Sequence, residues 1–404
     1  MRKKILILAI VFTCLSVSSI RPSNVSEAAE PYIFGYLSDM TGPGKTLIAS
    51  EAEGFGLYME HLNAQGGING HPIKVIVGDG KSEPDRSAMV AKKMIEQDKV
   101  LAILGLGFSP SQPPVHEIAK KSGIPIVTGF TATEKIWNTK PGDIAFGIGY
   151  TMHPQCHIGG YTAAQVMKRL YPEGSRIALL GMTTPGSRIW IAWTSEWLTK
   201  MGYKVVLEDF IPPEVPNISP WVMKVVNNTP DAVYTSLPQV FPIAANLEKL
   251  GWTKDIFYVD FLTEAEAVVG MKRLVGSGEW MVQSGRITSS YEDLPEMKKI
   301  RETIKKYGYN YTLSSGHFIG WTMGRLIEQA LSRTGWPCNH ADLIAALEKT
   351  DLDTRGLYGG PIRFTPTDHY GSSWWKASRW SAARKGFVPA IDWIRVEARE
   401  IEKK

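Results

Sequence analysis

Short apolar runs alternate with amphipathic stretches along most of the chain, and their order predicts the fold. Residues 31–37 read as a strand that leads into the polar loop Ser38-Asp39-Met40-Thr41-Gly42-Pro43-Gly44. Ala52, Phe55, Met59 and Leu62 then recur at helical spacing until Gly66-Gly67 stops them. A strand over 73–77 follows, then a turn at Asp79-Gly80 and a helix to about residue 97 with Asp85 as its cap. Next come a strand over 100–105, a loop, a helix over 115–121 and a strand over 125–128. The pattern restarts further on: strands at 176–181, 203–207, 232–236 and 256–259 alternate with helices at 187–200, 221–227 and 242–251. Such alternation predicts βαβ units on buried parallel sheets. Beyond residue 281 the pattern gives one strand and three helical stretches, 294–307, 317–333 and 339–348. This helix-rich tail completes the earlier units rather than forming a third domain. The expected class is α/β, with two doubly wound parallel-sheet lobes and no Gly/Ser-rich or Pro-rich linker between them.

The N-terminus changes the picture of compartment. Arg2, Lys3 and Lys4 precede an apolar run over 5–17, and a polar stretch ends in the small residues Ala28 and Ala29. This is the layout of a secretory signal peptide, assigned to residues 1–28. A membrane span needs about 20 apolar residues, more than this run offers. Cys14 raises lipidation as a minor alternative, because Val11-Phe12-Thr13 lacks the small residue such a site needs. Removing 1–28 takes away four positive charges and one negative, so the formal charge falls from +5 to +2. So small a charge on residues 29–404 is no nucleic-acid footprint. Export permits a disulfide between Cys156 and Cys338, and their pairing stays open.

Catalytic and cofactor motifs are missing. Gly105-Leu106-Gly107 follows a strand, but the third glycine of a dinucleotide turn is absent and Ser109-Pro110-Ser111-Gln112 stands in its place. The chain has no GxxxxGK[ST], HExxH or GxSxG pattern. His153 and His157 are spaced i, i+4, yet Pro154 lies between them, and they read as surface histidines rather than a metal pair. Neither a cofactor nor a metal is expected. Ligands of parallel α/β sheets bind beyond the carboxyl ends of the strands, where helix N-termini point. Ser109 to Ser111 follows one strand there, and Thr128 to Thr133 follows another. Both loops bring hydroxyls and backbone N–H groups to one edge, a seat for a carboxylate that plain N-capping explains equally well.

The chain resembles the periplasmic type I solute-binding proteins of ATP-driven importers, in particular the leucine/isoleucine/valine- and amide-binding group. The marks are Thr41-Gly42-Pro43, the run Asn63-Ala64-Gln65-Gly66-Gly67-Ile68-Asn69-Gly70, residues 73–79 with Pro84 and Ala88, and Gly105 with Ser109. Gly123-Ile124-Pro125 leading to Thr131-Ala132-Thr133, then Gly359-Gly360-Pro361-Ile362-Arg363-Phe364 and Asp368-His369-Tyr370-Gly371, complete them. The resemblance implies three crossovers between lobes, with lobe one at 31–152 plus 284–366 and lobe two at 153–283 plus 367–404. It also implies a ligand carboxylate held by Ser109 and by Thr131 or Thr133. The chain departs from the branched-chain pattern at several points. Leu47 stands where the first loop brings a tyrosine, Thr183-Thr184-Pro185-Gly186 follows the strand at 176–181, and the crossing segment reads Tyr150-Thr151-Met152-His153-Pro154. Asp260 is near the acidic position that holds an ammonium, while Phe108, Phe130, Tyr150, Phe241 and Phe261 fall in cleft loops. That set favours a larger or aromatic carboxylate over leucine.

Three functions of different class follow from this reading. A solute-binding protein would be monomeric, close by hinge motion on a small molecule and hand it to the membrane permease subunits of an ABC importer. A ligand-sensing module is disfavoured by the signal peptide and by the lack of a second apolar span. A secreted α/β enzyme would require a nucleophile–base pair that the sequence does not offer.

Overall fold

The computed structural model describes residues 29–42, 45–130, 143–150, 155–212, 215–235, 240–259, 281–285, 294–371, 374–381, 383 and 386–395. The proposed signal peptide lies outside them. The first half alternates β1 (Tyr32–Ser38), α1 (Lys45–Asn63), β2 (Ile73–Asp79), α2 (Pro84–Glu96), β3 (Ile103–Gly105), α3 (Gln112–Ser122), β4 (Ile126–Phe130) and β5 (Ala145–Tyr150). These five strands are parallel in the order β2-β1-β3-β4-β5. Burial on both faces explains their composition, since Phe34, Tyr36, Ile103, Leu104, Ile126 and Val127 are all inaccessible to solvent.

The second half repeats the scheme with α4 (Gln155–Leu170), β6 (Arg176–Met182), α5 (Pro185–Lys200), β7 (Lys204–Ile211), α6 (Ser219–Asn227), β8 (Ala232–Thr235), α7 (Val240–Lys249), β9 (Ile256–Val259) and β10 (Met281–Gly285). The tail then adds α8 (Pro295–Tyr307), α9 (Ser315–Leu331), α10 (His340–Leu347), the two-stranded β11 (Asp351–Leu352) and β12 (Ile362–Arg363), and last β13 (Trp374–Ser381) and β14 (Gly386–Arg395). The second sheet runs β14-β13-β10-β9-β8-β6-β7. Its core is parallel, while β13 and β14 join antiparallel at one edge. The α/β class with doubly wound sheets is borne out.

The tail divides between the sheets. Helix α9 packs on α1, β4 and β5, and fifteen of its seventeen residues are buried. The contact is close because Gly320 faces the α1 backbone: a Cβ there would lie 2.0 Å from the Glu51 carbonyl oxygen. Gly147 of β5 accepts from the Gly371 N–H and donates to the His369 carbonyl, so residues up to 371 belong with the first sheet. The chain then returns to the second sheet through β13, where Arg379 forks onto both oxygens of Asp255 at 2.5 and 3.0 Å. Trp374 and Trp393 of that ribbon lie against Gly359 and Gly360, which explains the glycine pair.

Several expectations need correction. Asp85 does not cap α2: Pro84 occupies the first helical positions, Glu83 is the N-cap residue, and Asp85 falls in the first turn, where its charge still suits the helix dipole. The strand expected over 100–105 is regular as β3 only from Ile103, although the Leu101 N–H already donates to the Ile33 carbonyl and the Ala102 carbonyl accepts from the Gly35 N–H. Helix α4 was obscured by its glycine pair. The strand and three helices expected in the tail are present, but the strands β13 and β14 that follow were not expected, because Trp374–Ser381 mixes bulky aromatic with polar residues and hides a strand.

Candidate functional site

A parallel sheet ordered 2-1-3-4-5 has one place where adjacent strands send their chains to opposite faces, between β1 and β3. The crevice outside those carboxyl ends is where such sheets bind ligands. Here Leu37 is paired with Gly105, and Ser38 with Asp79, so the loops after β1, β2 and β3 meet. Asp39, with 0 % of its surface exposed, is the centre of that meeting. Its Oδ1 accepts from the Ser82 N–H at 2.9 Å, and its Oδ2 accepts from the Ser82 hydroxyl at 2.7 Å and from the Phe108 N–H at 2.9 Å.

The loop after β3 has an unusual backbone. Gly105, Leu106 and Gly107 have φ of 87°, 90° and 69°, and such a value at a leucine is strained. Leu106 is nonetheless fully buried. The N–H groups of Leu106 and Gly107 both donate to the Leu37 carbonyl, and the buried Gln112 amide donates to the Gly107 carbonyl at 3.1 Å. A Cβ on Gly107 would come 3.0 Å from Asp39 Oδ1. The glycines therefore serve a tight turn against a carboxylate, which is no cradle for a pyrophosphate.

Asp79 organises the loop after β1 in the same manner. It accepts from the Met40, Thr41 and Lys81 N–H groups and from the Thr41 hydroxyl. Burial alone would raise its carboxyl, but the Thr41 hydroxyl and the Lys81, Thr41 and Met40 amides outweigh it and hold the group below the usual range. Glu51 is the opposite case. Burial drives its carboxyl up to about 8 against the opposing pull of the Tyr36 hydroxyl, so it carries a proton at neutral pH.

The structure locates the expected ligand residues unevenly. Phe108 is half-buried on the β3 loop, with its N–H taken by Asp39 and its carbonyl accepting from the Ser111 N–H. Ser109 opens the short 3-10 turn Ser109–Ser111 that runs into α3, and its side chain is outside the described set. Phe130 ends β4 and Tyr150 ends β5, and the two are paired in register, with neither side chain described. Thr131, Thr133, Asp260 and Phe261 lie outside the described residues, as does His153. The backbones of Ser109, Phe130 and Tyr150 thus reach one edge of the first sheet. The expectation of freely available loop amides is corrected: those of Leu106, Gly107, Phe108 and Ser111 are engaged internally, and Pro110 has none.

Sequence reasoning missed the roles of Asp39, Asp79, Ser82 and Gln112; it placed Ser111 in the hydroxyl-bearing loop but missed Thr235, and both of these hydroxyls are buried. Ser111 Oγ, on the N-cap residue of α3, and Thr235 Oγ1, at the end of β8, have no partner among the described residues. On the second sheet the equivalent reversal falls between β6 and β8, where Thr184 is the N-cap residue of α5 and the Ser187 hydroxyl accepts from the Met182 N–H at 2.7 Å. A hollow of about 250 Å³ between Tyr32, Lys99, Leu101, Trp336 and His340 opens at the amino ends of β1 and β3, the wrong pole for this site. Cys338 on its wall is a free thiol.

Two doubly wound sheets linked by three passages of chain define the architecture of the type I binding proteins. The chain belongs to the periplasmic binding protein family, whose model matches residues 31–385. A branched-chain amino acid ABC transporter protein from Thermus thermophilus, solved with bound valine, superposes with a TM-score of 0.80 at 13% identity over 93% of this chain and 100% of that one. A solute-binding protein of Rhodopseudomonas palustris BisB5, in complex with 3,4-dihydroxybenzoic acid, gives 0.75 at 18% identity over 92% and 99%. An amino acid binding protein of Pseudomonas aeruginosa is 32% identical over 114 residues, which are 28% of this chain and 30% of that protein. The alignment thus spans under a third of the length of this curated relative.

Proposed function

We propose that this chain is an extracytoplasmic solute-binding protein that captures an amino acid or related small carboxylate, closes over it by a hinge motion and delivers it to the permease subunits of an ABC importer. It does no chemistry on the ligand and acts as a monomer exported through residues 1–28. Family membership supports the class, and the observation that carries the site is the β3 loop, whose strained turn brings Ser109 to the sheet reversal. Lobe one comprises 31–152 plus 286–371, because Ser284 and Gly285 pair within the second sheet as part of β10 and Gly371 still bonds to β5. Lobe two takes 153–285 and the C-terminal ribbon. Ser109 with Thr131 or Thr133 holds the carboxylate, and Phe108, Phe130, Tyr150, Asp260 and Phe261 line the cleft. The aromatic set favours an aromatic or bulky carboxylate.

The test is mass spectrometry of the solute that co-purifies, then thermal shifts with leucine, valine, 4-hydroxybenzoate and 3,4-dihydroxybenzoate. A true ligand at a hundredfold excess over Kd adds about 2.7 kcal/mol of stability. Ser109→Ala and Thr131→Ala are each expected to weaken carboxylate binding roughly tenfold or more, since a hydrogen bond to a charged group is worth about 1.5–3 kcal/mol. Unchanged affinity in both would remove the site assignment, and turnover of a stabilising solute would remove the class.

A further inference from the structure

We infer that Asp39 is the positioning residue of the ligand-facing loop: it joins the ends of three strands and holds the left-handed turn that sets where Ser109 stands. Three observations converge on it. The carboxylate is wholly buried at the strand reversal, and all three of its hydrogen-bond donors come from loops other than its own. Gly80 and Gly107 leave just enough room for it, because a Cβ on either would come within 3.1 or 3.0 Å of Oδ1. The turn it anchors contains a leucine at φ 90°, a conformation that persists only when its surroundings over-determine it.

The chemistry explains why an aspartate stands here. Two oxygens facing three donors need the full acceptor capacity of a carboxylate. A carboxylate accepts more strongly than a neutral amide, so it can offset the strain at Leu106. By consuming the Phe108 N–H, Asp39 also keeps that donor from the ligand. Ser82 serves as the second arm. It has φ 61° and follows Lys81 at φ 55°, so the β2 loop is bent toward the same carboxylate.

Loop holding is independent of any ligand; only the affinity arm of the test rests on the solute-binding reading. Hydrogen exchange on the unliganded full chain reads the first directly, at the Phe108 and Ser82 amides. Asp39→Ala is expected to speed exchange at both by tenfold or more, while β8 and β9 stay as protected as before. Asp39→Asn keeps the volume and guards against loss of folding. Its amide has one acceptor oxygen, so one of the two amides loses protection. Ser82→Ala leaves the Phe108 bond intact and is expected to leave exchange at Phe108 unchanged.

The second arm titrates the wild type and Asp39→Asn with leucine and with 4-hydroxybenzoate, beside Ile103→Val as a control that destabilises the same sheet without touching the loop. Where the wild type binds either probe, Asp39→Asn is expected to raise Kd at least tenfold and Ile103→Val less than twofold. Equal effects of the two variants would reduce Asp39 to an ordinary structural residue and overturn the inference. Unchanged exchange at Phe108 and Ser82 in both Asp39 variants would overturn it whatever the titrations give. Faster exchange with no wild-type binding of either probe sustains the clamp and counts against the carboxylate reading alone.

Discussion

Glu51→Gln is expected to stabilise the protein at pH 8 and to destabilise it slightly, by about 1 kcal/mol, at pH 5. The Glu51 carboxyl is buried between α1 and the first sheet, with Oε2 3.5 Å from the Tyr36 hydroxyl and Oε1 without a partner among the described residues. Burial raises it from 4.5 to about 8. For an acid raised in the folded state, the unfolded chain ionises first. Stability is therefore greatest below about pH 4.5, falls as pH rises toward 8 and levels off above it. Each unit of that gap is worth about 1.4 kcal/mol, so the full penalty is several kcal/mol. Glutamine keeps the shape and an acceptor for Tyr36, but its amide N–H groups are buried without partners at a cost of about 1–3 kcal/mol. The first effect wins at pH 8, with a net gain of about 2–3 kcal/mol. At pH 5 the ionisation penalty is only about 0.8 kcal/mol, so the amide cost prevails and the variant is less stable by about 1 kcal/mol. Denaturant titrations at both values decide it: a wild type and variant whose stabilities run parallel from pH 5 to pH 8 would show that Glu51 is not the titrating group.

Glu51 also shows where the sequence stopped being legible. Ser50-Glu51 and Glu53 look like the solvated face of an amphipathic helix, and nothing local says otherwise. What buries Glu51 is the pairing of α1 with α9, a helix more than 250 residues later in the chain. Asp39 was hidden for the same reason: an acidic residue after a strand is normally solvated, and its donors come from Ser82 and Phe108, 43 and 69 positions away. The strands and helices before residue 130 were readable because apolar runs, glycine stops and helical spacing are local signals. The Ser109 loop was readable as well, since hydroxyl and glycine residues between a strand and a helix mark a strand end. Its donors were not, because which amides are already engaged is decided by tertiary contacts. The ribbon β13–β14 escaped because an edge pair with Trp374, Lys376 and Arg379 lacks the alternation of a half-buried strand.

The opposite response is expected at the helix pair itself. Gly320→Ala should destabilise the protein by about 3 kcal/mol or more, while Gly56→Ala in α1 should stabilise it by about 0.5–1 kcal/mol. Both are helical glycines, and intrinsic propensity favours alanine at each by nearly the same amount. Space separates them. A Cβ at Gly56 meets nothing within 4 Å, whereas one at Gly320 meets the Glu51 carbonyl oxygen at 2.0 Å and the Phe55 nitrogen at 2.6 Å. Those atoms are backbone, so no rotamer change relieves the clash and α9 must move away from α1. That movement would open contacts along a helix that is buried almost throughout, and overpacking of this kind exceeds the gain in propensity. It would also lift the cover from Glu51. The Gly320→Ala protein is therefore expected to lose part of the pH dependence described for Glu51, which a double variant with Glu51→Gln measures as non-additivity. Additive stabilities across the two substitutions would mean that α9 does not control the burial of that carboxyl.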